Sequence, residues 1–206
     1  MLKKALAAAA IVYFLAAAAA AQDAGRFDVS AAYGAVFGHT STSSLVNVSV
    51  VSTNSALVLG TIRYRFNWRH GFEVNYGRTL DSQIFMTPPG EFRVQTTVSE
   101  YSGAYVFRPV QLEKLAPFLL AGGGALAFNP GNTYINGFLS PFGAARQTSL
   151  AFLYGGGFDY PVRKRWALRL EYRGLVYKQP NFHLQQFVTN VRGHAPTASI
   201  GIVFGF

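Results

Sequence analysis

The chain has 206 residues, a formal net charge of +9, only 13% charged residues, 15% aromatic residues and no cysteine. That length suits one domain with or without a removable leader, and the missing cysteines exclude disulfides, thiol catalysis and thiolate-held metals. Scarce charge beside abundant aromatics and 21 glycines suits a β architecture with one wall in lipid, and suits a disordered or nucleic-acid-binding chain poorly.

Met1, Leu2, Lys3 and Lys4 form a basic start, an apolar run follows over 5–21, and Ala19 and Ala21 precede Gln22 as an A-x-A cleavage site. The pattern predicts a secretory signal peptide over 1–21, in preference to an uncleaved anchor, and one domain over 22–206. With no cysteine after the cleavage site, a lipoprotein anchor is excluded. Beyond residue 21 no apolar run reaches the ~18 residues of a spanning helix.

Period-two alternation appears instead. The first segment, 26–38, puts Phe27, Val29, Ala31, Tyr33, Ala35 and Phe37 opposite Asp28, Ser30, Ala32, Gly34 and Val36. In 56–66, Val58, Gly60, Ile62, Tyr64 and Phe66 oppose Thr61, Arg63 and Arg65. In 71–80, Phe72, Val74 and Tyr76 oppose Glu73 and Asn75. The segment 93–107 alternates cleanly only in its second half, where Tyr101, Gly103, Tyr105 and Phe107 oppose Glu100, Ser102 and Ala104. Val94 and Val98 share the face of Glu100, which predicts a bulge or a protrusion beyond the lipid.

In 116–128, Phe118, Leu120, Leu126 and Phe128 oppose Ala121, Gly123, Ala125 and Ala127, and the bulkier set is assigned to lipid. In 148–160, Phe152, Tyr154, Phe158 and Tyr160 oppose Gly155, Gly157 and Asp159. In 166–177, Leu168, Leu170, Tyr172 and Val176 oppose Arg169, Glu171 and Arg173. The last segment, 197–206, sets Ala198, Ile200, Ile202, Phe204 and Phe206 against Thr197, Ser199, Gly201, Val203 and Gly205.

Connections alternate between short (67–70, 108–115, 161–165) and long (39–55, 81–92, 129–147, 178–196). Eight such segments predict an all-β, eight-stranded, antiparallel up-and-down transmembrane barrel, with both termini and the short turns on the periplasmic rim. A soluble eight-stranded carrier would need its apolar face inside. Here aromatics cluster toward strand ends as two interfacial girdles, and a water-facing wall of that kind would aggregate.

Charges therefore face the lumen: Asp28, Arg63, Arg65, Glu73, Glu100, Asp159, Arg169, Glu171 and Arg173. Pairing Phe66 with Phe72 sets Arg65 opposite Glu73, and pairing Tyr160 with Leu168 sets Asp159 opposite Arg169. An eight-stranded barrel has room only for side chains, so these charges must satisfy one another. They read as a plug of ion pairs.

The leader, the eight alternating strands and the terminal Phe206 resemble the small outer-membrane barrels of the OmpA-type transmembrane domain and OmpX superfamily. So do the stretches 116–124, 155–160 and 166–173, with their Gly-Gly-Gly runs and Leu-Glu-Tyr-Arg. The resemblance implies the outer membrane of a double-membrane bacterium, contact with lipopolysaccharide and phospholipid, and recognition of Phe204 and Phe206 by the barrel-assembly machinery. It fixes no activity, because the fold hosts structural, adhesive, porin-like and enzymatic members. The peptidoglycan-binding domain of OmpA has no counterpart here.

His39-Thr40-Ser41 spells the H-x-S of outer-membrane lipid A deacylases, but it opens a Ser/Thr-rich loop with no acidic residue near in sequence, so turn formation is the preferred reading. His183 and His194 lack a third ligand, and the glycine triplets lie within strands, so neither a metal site nor a cofactor is expected. Arg69, Arg108, Lys114, Arg163, Lys164 and Arg165 crowd the short turns against Glu113, which suits anionic headgroups. Nucleic acid is not an expected partner, since the aromatics are committed to lipid.

Two readings of function remain open on the sequence. One is a non-enzymatic barrel serving envelope integrity, adhesion or ligand contact through loops 39–55 and 178–196. The other is a narrow porin gated by the lumen charges. A lipid-modifying enzyme ranks behind both. Within the first loop, Leu45, Val46, Val48, Val50 and Val51 suit equally a hairpin that carries the first two strands above the membrane and offers an edge to partners, and a solvated loop whose valines pack on neighbouring loops.

Overall fold

A computed structural model describes residues 26–43, 48–87, 90–140, 143–182 and 191–206, and all regular structure among them is β-strand. The predicted signal peptide, His183 and most of the second ligand-contact loop lie outside the described residues. Eleven strands run in chain order: β1 (Phe27–Val36), β2 (Thr40–Ser43), β3 (Val48–Ser52), β4 (Ser55–Arg65), β5 (His70–Thr87), β6 (Gly90–Phe107), β7 (Ala116–Ile135), β8 (Phe138–Leu139), β9 (Gln147–Arg163), β10 (Trp166–Lys178) and β11 (Arg192–Gly205).

Eight of them close a barrel in the order β1-β4-β5-β6-β7-β9-β10-β11, each antiparallel to its neighbours. The seam joins β1 to β11 from Asp28↔Gly205 to Val36↔Thr197, and the Phe206 amide donates to the Phe27 carbonyl at 2.9 Å. Closure leaves no unpaired edge along the spanning strands, which is the condition for a sheet to sit in lipid.

Alternation sorts the side chains as the period-two pattern requires. Tyr33, Val58, Ile62, Phe72, Val74, Tyr76, Tyr101, Tyr105, Phe152, Tyr160, Tyr172, Ile200 and Ile202 are exposed on the outer wall, while Arg63, Glu73, Arg169 and Arg173 are buried. Small residues let neighbouring backbones approach. A Cβ on Gly157 would lie 2.1 Å from the Leu170 carbonyl oxygen and 3.0 Å from the Phe118 ring.

β7 departs from the sequence-based expectation. Phe118, Leu120, Leu126 and Phe128 are buried in the barrel, whereas Leu119 and Ala121 face out. Gly155 and Gly157 of β9 and Ala104 of β6 leave the lumen underfilled beside β7, so its bulky face is drawn inward to fill that space.

Register also differs at the first short turn. Arg63, not Arg65, stands opposite Glu73, and Arg65 faces Gly71. Asn67 tightens the turn by accepting the Arg69 and His70 amides on its side-chain oxygen, each at 2.9 Å, so the reversal centres one residue earlier than expected. The β10/β9 pairing is the expected one, Leu168↔Tyr160 with Arg169↔Asp159.

Above the membrane the expected long loops are largely strand. β5 and β6 continue as one ladder to Thr87↔Gly90, and β6 shifts register against β7 between Val94 and Thr96, at the expected bulge. β7 runs on to a two-residue turn at Asn136 and Gly137, whose φ values of 49° and 86° are those an Asn-Gly hairpin supplies. The β2–β3 hairpin does not prolong the β1/β4 ladder. It docks through β3 on the extended β5, Ser49↔Met86 to Ser52↔Gln83.

Candidate functional site

Eight of the nine charged side chains singled out from the sequence are buried inside the barrel, and Arg65 is half-buried at its periplasmic mouth. In the periplasmic half, Arg63 Nη2 and Nε donate to Glu73 Oε2 at 2.7 and 3.0 Å. Arg169 Nε and Nη2 grip Asp159 at 2.6 and 3.1 Å, and Nη2 reaches Asp28 at 3.4 Å. Arg63 Nη1 also approaches Asp159 at 3.6 Å, and Arg65 Nε approaches Asp28 at the same distance. Nearer the cell exterior, Arg173 Nη2 donates to Glu100 at 2.5 Å, with Glu171 at 3.9 Å from its Nε.

Polar neighbours take up part of the remaining bonding capacity, while Arg63 Nη1, Glu171 Oε1 and Arg173 Nε and Nη1 are buried without a hydrogen bond among the described residues. Ser102 donates to Glu100 at 2.6 Å, Asn75 to Glu73 at 3.1 Å, Thr61 to Asn75 at 2.7 Å, and Arg169 to Ser30 at 3.3 Å. Buried charges persist only when paired and hydrogen-bonded in this way.

Two participants escaped the sequence reading. Arg108, assigned to lipid headgroups, turns inward and donates to Asp159 at 3.0 Å. Phe118, assigned to lipid, lies at the centre of the cluster, its ring centroid 4.3 Å from the Arg63 guanidinium carbon and 5.2 Å from that of Arg169. A π-face within reach of both guanidinium groups offsets part of their mutual repulsion. The usable signal was the run of glycines opposite β7, which leaves a void only a large ring fills.

A second, apolar layer lies on the extracellular side of the charges. Val50, Phe85, Val94, Phe128, Leu153, Tyr177 and Phe182 form one buried cluster, with Phe85 and Phe182 edge to face at 6.3 Å. Phe182 has φ of +52° and is held by the Gln147 side-chain oxygen, which accepts the Asn181 and Phe182 amides at 2.9 and 2.8 Å. Below it, Asp81 accepts from the Thr53 amide and hydroxyl at 3.2 and 3.3 Å, and burial pushes its carboxyl above the ordinary aspartate range despite those bonds.

The H-x-S residues do not meet. Ser41 donates its hydroxyl hydrogen to the Arg192 carbonyl at 3.2 Å, and the His39 ring faces His194 at 6.2 Å. His194 Nε2 is 2.7 Å from the Tyr154 hydroxyl. Among the described residues no group of three or more His, Asp or Glu is placed to hold a metal ion. At the C-terminal seam Phe204 packs on Trp166 at 4.8 Å and on Phe206 at 5.0 Å.

A closed sheet with an oily outer wall and an ionic interior defines an integral β-barrel of the outer membrane. The chain matches the family model described as outer membrane protein beta-barrel domain over residues 6–204, and it belongs to that family. Solved structures share the fold at low identity. OprG from Pseudomonas aeruginosa superposes with TM-score 0.62 at 13% identity, covering 89% of this chain and 96% of that one. Ail of Yersinia pestis gives 0.52 at 15%, covering 89% and 99%, and Neisserial surface protein A gives 0.52 at 20%, covering 87% and 96%. No curated protein matches in sequence.

Proposed function

We propose that this chain is a sealed, non-enzymatic barrel of the outer membrane that anchors an extracellular β platform for envelope integrity or surface contact. The observation that carries this reading is the double obstruction of the lumen, by ion pairs around Phe118 and by the apolar layer at Phe85 and Phe182. Residues 1–21 direct export, the barrel-assembly machinery reads Phe204 and Phe206, and lipopolysaccharide and phospholipid surround the wall. An extracellular ligand is met by the region 39–55, where β2 forms the outer edge of the extended sheet, together with 178–196.

Planar-bilayer recording tests the reading. The mature protein is expected to insert without steady conductance. A stable conductance abolished by exchanging Arg173 and Glu100 would instead establish the narrow porin. Lipid-modifying activity lost in His39→Ala would establish an enzyme.

A further inference from the structure

The periplasmic mouth of the barrel has a construction that the sealed-barrel reading does not use. A recess of about 240 Å³ opens there, lined by Asp28, Arg65, Arg108 and Asp159 on the lumen side and by Arg163, Lys164, Arg165 and Trp166 at the rim. That space is far above the ~10–15 Å³ needed to admit one water.

Its charge is lopsided. Both carboxylates are already engaged within the lumen: Asp159 by Arg169 at 2.6 Å and Arg108 at 3.0 Å, and Asp28 by Arg169 at 3.4 Å. The cations are not so well served. Arg65 Nε and Arg108 Nε are buried with no hydrogen-bond partner among the described residues. The 3.6 Å from Arg65 Nε to Asp28 is too long for a hydrogen bond. Arg163, Lys164 and Arg165 stand exposed on the turn and make no ion pair among the described residues. The side chains of Arg65 and Arg108 remain partly exposed where they line the recess, and charged N–H donors gathered there gain from an anion that accepts from them.

We propose that this recess binds a phosphate group, either as the free ion or as the headgroup of an anionic phospholipid of the inner leaflet. Arg65 and Arg108 supply inward donors, and Arg163, Lys164 and Arg165 supply the rim charge. A phosphate matches the site because it offers several acceptor oxygens to guanidinium forks converging from two sides. Trp166, exposed at the rim, sits where acyl chains of a bound lipid would meet the wall.

The two tryptophans of the chain make the test direct. In a Trp68→Phe background, Trp166 fluorescence reports on the recess alone. Refolded protein in zwitterionic micelles is titrated with inorganic phosphate against sodium chloride of equal ionic strength. In parallel, it is placed in nanodiscs of phosphatidylglycerol or of phosphatidylcholine. A saturable response to inorganic phosphate identifies the free ion; a response to phosphatidylglycerol alone identifies the headgroup. In either case Arg65→Gln is expected to weaken binding roughly tenfold, the loss of one charge-assisted bond. Lys164→Gln, which touches no lumen ion pair, is expected to weaken it about threefold and serves where Arg65→Gln does not fold. No response in either arm, an equal response to chloride, or full affinity in both variants overturns the proposal.

Discussion

At the scale of single residues, the lumen is governed by what happens when one member of a buried pair is removed. Arg63 and Glu73 are both fully buried and face each other across β4 and β5. Replacing Arg63 with Met strands a carboxylate in a site of low polarisability, at about 3–5 kcal/mol. Replacing both, Arg63→Met with Glu73→Leu, removes the stranded charge and is expected to recover most of that loss. Urea unfolding of the two single variants and the double variant in micelles gives the coupling directly. Asp81 makes a different case, because burial raises its carboxyl above the ordinary aspartate value of 3.8. Between the ordinary and the raised value the folded state holds more protons than the unfolded one, so stability falls as pH rises through that window. Asp81→Asn keeps an oxygen to accept from Thr53 but cannot ionise. It is expected to match the wild type near pH 3.8 and to be the more stable of the two at neutral pH, as read from unfolding midpoints across that range.

At the scale of elements, packing between strands depends on residues too small to be noticed for their chemistry. Gly157→Ala must push a Cβ into the Leu170 carbonyl of β10 and toward the Phe118 ring, and is expected to cost about 1–3 kcal/mol, measurable as a lowered temperature at which the compact gel band converts to the unfolded one. The β2–β3 hairpin invites a sharper experiment. Val50 is fully buried where β3 docks on β5, so Val50→Asp is expected to release the hairpin to protease while the barrel keeps its compact mobility. Strand identity was legible in the sequence because seven of the eight spanning strands separate apolar from polar residues in the right sense. β7 was not, since it carries no charge and its two faces differ only in bulk. Its orientation is set by the glycines of β9 on the neighbouring strand, a tertiary effect that no local pattern carries. The Arg63–Glu73 partnership was missed by two residues for a similar reason: both registers keep the charges inward, and only the Asn67 turn distinguishes them. The extracellular extension of β7 did leave a local mark in Asn136-Gly137, which the division into spanning segments and loops passed over.

For the whole molecule, the lumen consists of two obstructions in series, and they differ in kind. The lower one is electrostatic: Asp28, Glu73 and Asp159 pair with Arg63, Arg108 and Arg169 around Phe118, and Arg65 adds a fourth cation at the mouth. The upper one is apolar, with Phe85, Phe128 and Phe182 buried among aliphatic side chains above Arg173 and Glu100. An ion entering from the periplasm meets fixed charges that could exchange partners with it, but must then cross a layer that offers it nothing to replace its hydration. Removing the lower obstruction alone, with Arg63→Ser, Glu73→Ser and Phe118→Ala together, is therefore expected to leave the bilayer electrically silent. Removing the upper one alone, with Phe85→Ser and Phe182→Ser, exposes the ion-pair layer and is also expected to stay silent. Only the combination should produce discrete conductance steps, provided the gel-mobility shift shows the barrel still closed. Steady conductance in the lower-layer variant by itself would locate the whole barrier in the ion pairs and leave the apolar layer as a support for the extracellular sheet.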